Sequence, residues 1–132
     1  MDQASRYRLP NGRFLDGRRL CCENVADLGG VRLAHAALLA EARRREVKGR
    51  RRDEGARRRQ EERRFFEAWA RLWRERGSGE ARALQRSLVD THAPSEYRVN
   101  GPLSNMPEFH AAFDVVQGDP MYVREEDRTD VW

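Results

Sequence analysis

Apolar side chains recur at three- and four-residue spacing in two long stretches. Leu28, Val31, His35 and Leu38 form one stripe, which Val25 and Ala34 widen, and predict a helix from about Cys22 or Glu23 to about Arg45. Phe65, Phe66, Trp69, Leu72 and Trp73 form the other, over about Gln60 to Arg76. This second stripe is the strongest core signal in the chain, and burying it gives several kcal/mol of gross hydrophobic stabilisation. Gly77-Ser78-Gly79 breaks it, and Ala81, Leu84 and Leu88 mark a shorter amphipathic helix beyond. A last helix opens at Asn105-Met106-Pro107-Glu108, with Asn105 as N-cap, Pro107 in the first turn and Phe109, Ala112 and Phe113 as its buried face.

The intervals read as turns and loops. Tyr7 to Leu20 carries Pro10-Asn11-Gly12 and the hairpin-type Asp16-Gly17, with Phe14 and Leu15 as buried contacts between them. Pro94 forces Ala93 out of helical geometry, so Asp90 to Pro102 reads as a constrained polar loop displaying His92 and Arg98. Gln117 to Met121 is a turn, and Trp132 is placed to anchor an acidic tail. The chain is therefore expected to be mostly helical.

Composition narrows what such helices can bury. Of 132 residues, 36% are charged and the mean hydropathy is −0.94, which leaves a thin core for one small domain. No apolar run reaches the roughly 18 residues of a membrane span, and Met1 to Ser5 lacks the apolar centre of a signal peptide. Cys21 and Cys22 are adjacent, which strains a mutual disulfide and matches no zinc-knuckle spacing. Charge is local: Arg43 to Arg64 holds 12 basic and 5 acidic residues, against a net +4 for the whole chain. That segment reads either as a solvated, partly helical connector or as a binder of anionic partners such as nucleic acid. Its lack of base-stacking aromatics disfavours the second.

The candidate chemistry begins at Glu23-Asn24-Val25-Ala26-Asp27, two carboxylates one helical turn apart. They read either as acids favoured by the positive end of the helix dipole, or as a metal ligand, Glu23, with Asp27 as the neighbour that braces the site from behind. Gly29-Gly30 costs a helix about 1 kcal/mol per glycine relative to alanine, which predicts a close approach there. His35 has no second His one turn away and reads as a packed core residue, and His110 reads as a surface residue. His92 can present one ring nitrogen to a ligand, and Arg98 can donate to a carbonyl or carboxylate; alternatively Arg98 pairs with Glu96 or Asp114.

Asp90-Thr91-His92-Ala93-Pro94, Tyr97 through Phe109, Gly118 through Tyr122 and Val131-Trp132 together resemble the C-terminal end of the neprilysin and endothelin-converting-enzyme family of zinc metalloendopeptidases. Glu23 through Gly30 is similar to that family's second signature, and Gln60 to Trp73 to its phenylalanine-rich helix. The resemblance implies the C-terminal helical part of a gluzincin-type, thermolysin-like catalytic domain spanning residues 1–132, interrupted by the arginine-rich connector at about 43–64. It implies Glu23 as third zinc ligand, Asp27 as the acid orienting a zinc-ligating His, His92 as donor to the oxyanion, and Arg98 as the guanidinium holding a substrate carbonyl. The family's H-E-x-x-H, which supplies two ligands and the general base, is absent, as none of His35, His92 and His110 starts it. Cys22 stands where the family has glycine before the ligand glutamate. The expectation is an incomplete zinc site, no peptidase activity for the chain alone, and as partners a peptide substrate and the missing N-terminal part of the domain. A non-catalytic interaction protein is the alternative.

Overall fold

A computed structural model describes residues 2–9, 12–47, 54–74 and 93–131. The proposed helix around Leu84, the residues Asp90 and His92, and Trp132 lie outside them. Five α-helices form among the described residues: α1 (Asp2–Ser5), α2 (Cys21–Val47), α3 (Glu54–Leu72), α4 (Ser95–Ser104) and α5 (Pro107–Phe113), with a 3-10 turn at Glu125–Asp127. No strand forms among these residues; the chain before α2 makes a single antiparallel bridge, Arg8 to Phe14, around Gly12 at φ +83°. Asp16 turns out to start the helical path rather than a hairpin, because its carboxylate accepts the N–H groups of Arg18 and Arg19 ahead of α2.

The main core lies where α2, α3, α4 and α5 meet, and is built from Leu28, Val31, Phe66, Leu103, Met106, Phe109 and Ala112. Both predicted stripes supply it, yet neither is buried over its full width. Val25, Ala34 and Leu72 face solvent, the last 78% exposed, because the neighbouring helices cover only one side of α2 and stop short of the end of α3. A smaller cluster of Ala4, Leu15, Leu20, Ala93 and Tyr97 packs the N-terminal segment on the start of α4, while Phe14 is 62% exposed. There the Tyr7 ring meets Tyr97 edge-on, and burial, then the Glu96 carboxylate bonded to its hydroxyl, push the Tyr7 phenol up.

Residues 95–104 are helical, although Gly101 and Pro102 favour a break. Pro102 has no N–H, so the carbonyl of Arg98, four residues earlier, loses its helical partner. The Trp69 indole N–H donates to it at 3.3 Å. Gly101 lets the Tyr97 ring lie flat on the helix, where a Cβ would sit 2.9 Å from the ring. Asn105 caps the C-terminal end of α4, and Met106, rather than Asn105, is the N-cap of α5. The Asn105 side chain is instead the knot of the fold: it exchanges hydrogen bonds with Gln3, donates to the Gly101 carbonyl and accepts the Thr129 N–H.

His110 is buried, not on the surface, because the tail folds back over it. Arg128 donates to Nδ1 at 3.0 Å, which requires a lone pair there and places the proton on Nε2, 2.9 Å from the Ser104 carbonyl. Burial, then the Arg128 charge, lower its pKa from the usual 6.5. His35 is packed as expected, stacked on Phe66, with Glu62 3.6 Å from Nε2. The arginine-rich segment is helical at both ends. Arg63 closes the last turn of α5 by donating to the Ala112 carbonyl and pairing with Asp114, which holds a left-handed conformation at φ 56°.

Candidate functional site

The packing of α2 against α4 brings Glu23, Asp27 and Arg98 together. Glu23 and Asp27 occupy the first two turns of α2 on one face, and Arg98 stands on the first turn of α4. Asp27 is 7% exposed and takes a fork from the guanidinium, Nε to Oδ2 at 2.6 Å and one terminal nitrogen to Oδ1 at 2.7 Å. The Glu23 carboxylate lies 3.7 Å from that same terminal nitrogen and stays partly open to solvent. Arg98 therefore pairs with neither Glu96 nor Asp114. Asp114 is taken by Arg59 and Arg63, whereas Asp27 offers a bidentate geometry inside the helix junction.

The second turn of the cluster comes from α3 and its C-terminal continuation. The Arg98 guanidinium carbon sits 3.9 Å from the centre of the Trp73 ring, and Trp73 meets Trp69 edge-on with centroids 5.8 Å apart. Read along the sequence, these tryptophans belong to a packing stripe. Their approach to Arg98 depends on Pro102 and on how α3 crosses α4, neither of which leaves a periodic signal.

The donor set of the described residues does not by itself fit a zinc ion. Among the described residues no three His, Cys, Asp or Glu side chains come together. His35 lies twelve residues beyond Glu23 on α2, about 18 Å along the axis, and both ring nitrogens of His110 are engaged. Glu23 offers a carboxylate suited to one position of a tetrahedral site, and Asp27, with both oxygens bonded, retains lone pairs for a further donor.

A mostly helical arrangement with this acid pair on its long helix is part of a gluzincin-type metallopeptidase domain. The sequence profile of peptidase family M13 matches residues 1–129, and the chain belongs to that family. It is 34% identical to a neutral endopeptidase of Lactococcus lactis over 89% of its length, and 34% identical to Neprilysin-3 of Drosophila melanogaster over 98%. It is 31% identical over its full length to endothelin-converting enzyme 1 of Cavia porcellus. The chain spans 16–17% of the length of these relatives. Among solved structures it is similar to the zinc metalloprotease Zmp1 of Mycobacterium tuberculosis in its open state, with a TM-score of 0.78 and 29% identity, covering 99% of this chain and 20% of that one.

Proposed function

We propose that this chain supplies one side of a zinc endopeptidase site. Glu23 is the carboxylate ligand, Asp27 the acid that orients a neighbouring ligand, and Arg98 the donor to a backbone carbonyl of a peptide substrate. His92 is the donor to the developing oxyanion. Zinc bound at such a site polarises the scissile carbonyl and its attacking water. The observation that carries this reading is the convergence of Glu23, Asp27 and Arg98 in one cluster, from positions up to 75 residues apart. The two histidine ligands and the general base belong to an H-E-x-x-H that these 132 residues lack, so the chain alone cleaves nothing.

The partner is the part of the catalytic domain that carries that motif. Val25 and Leu33 on α2 are 40% and 62% exposed, and a Cβ at Gly30 would meet nothing within 4 Å, so among the described residues the close contact predicted at Gly29-Gly30 is not made at Gly30. An uncharged helix face beside Glu23 is what a second helix needs in order to dock. A graft tests the reading: in the L. lactis neutral endopeptidase, the segment shared with this chain is exchanged for residues 1–132. The graft is expected to cleave peptide in a chelator-sensitive way and to lose cleavage with Glu23→Gln. Undiminished cleavage by the Glu23→Gln graft would contradict the assignment.

A further inference from the structure

We propose that Trp73 is a positioning residue for Arg98, an inference that deepens the reading above and rests on it for its catalytic meaning. A bidentate fork to Asp27 fixes a guanidinium within its own plane and leaves its tilt out of that plane free. The Trp73 ring, 3.9 Å from the guanidinium carbon, lies on the axis the fork leaves open and restrains that tilt. The main chain of Arg98 is held separately, because the carbonyl released by Pro102 accepts the Trp69 indole N–H. Arg98 is thus clasped at both ends by two tryptophans one helical turn apart.

Trp73 is not in this place as ordinary core. It is not among the residues packed against the main core cluster, as Trp69 is, and follows Leu72, which is 78% exposed. Its own indole N–H is buried with no acceptor among the described residues, an unfavourable arrangement for a tryptophan that merely fills space. The ring is oriented by its face, toward the cation, and not by its N–H. Among the described residues the ring meets Trp69 edge-on and carries the Arg98 guanidinium over its face.

The test is made on the 132-residue chain by nitrogen-15 NMR of the arginine side chains, with the Arg98 Nε–H signal identified by its loss in Arg98→Lys. In the wild type that proton exchanges slowly with solvent. Trp73→Leu is expected to speed its exchange by about tenfold, and Trp73→Phe, which keeps a ring face, to restore most of the protection. Far-UV circular dichroism checks the fold, and Trp73→Met replaces the leucine variant if that one unfolds. Unchanged exchange in a folded leucine or methionine variant, or equal loss in Trp73→Phe, overturns the proposal. The measurement uses neither zinc nor substrate, so its failure is distinct from failure of the graft.

Discussion

Asp27 and Arg98 form the one forked ion pair recorded between helices among the described residues, and nearly all of it is shielded from water. Replacing one partner leaves the other charged and buried, so Asp27→Asn is expected to cost about 3 kcal/mol, read as a lower urea midpoint. His110 gives a pH dependence whose sign follows from its lowered pKa. The unfolded chain takes up the proton first as pH falls, so the stability is complete above the unfolded value of about 6.5 and is lost as pH drops through 6.5 toward the lowered folded value. Urea melts at pH 7.5 and 5.5 check this, and His110→Gln should flatten the difference. At this scale the placement of Glu23 and Asp27 on one helix face was legible from their spacing, and their meeting with Arg98 was not. Nor was the burial of His110, because Arg128 reaches it from 18 residues away on a tail with no periodic pattern.

Among the elements, two helical glycines make opposite predictions. Gly30 lies inside α2 with open space where a Cβ would stand, so Gly30→Ala should stabilise the chain by about 1 kcal/mol in a thermal melt. Gly101 lies under the Tyr97 ring, which is itself buried against Tyr7, so Gly101→Ala should destabilise by about 1–3 kcal/mol. The long helices were readable where they carry an apolar stripe, Leu28 to Leu38 in α2 and Phe65 to Leu72 in α3, whereas the start of α3 at Glu54, six residues before the expected Gln60, lies in an arginine-rich run with no such stripe. Helix α4 was not, since Gly101 and Pro102 are breakers whose local cost is offset by partners far along the chain, Trp69 and Asn105. Phe14, set between two turns, and Leu72, in step with its helical stripe, show the limit of reading burial from apolarity: both are exposed.

Taken whole, the molecule is tied at Asn105, where Gln3, Gly101 and Thr129 meet, and its arginine-rich segment is bound to the body at Arg63. Asn105→Ala is expected to raise hydrogen exchange at both the N-terminal segment and the residues around Thr129, while leaving α3 protected. That tie joins the C-terminal end of α4 to the N-terminal segment and the tail, while the Asp27–Arg98 fork and the core of Leu28, Val31 and Leu103 hold α4 against α2. On the proposed function, Glu23 is a zinc ligand in a site this chain completes for the rest of an M13 catalytic domain. Zinc content after dialysis of the grafted neutral endopeptidase measures it most directly. Retained zinc with Glu23, strongly depleted in Glu23→Gln and weakened about 10–100-fold in affinity by Asp27→Asn, is the predicted result. Equal zinc in the wild-type and Glu23→Gln grafts would contradict it.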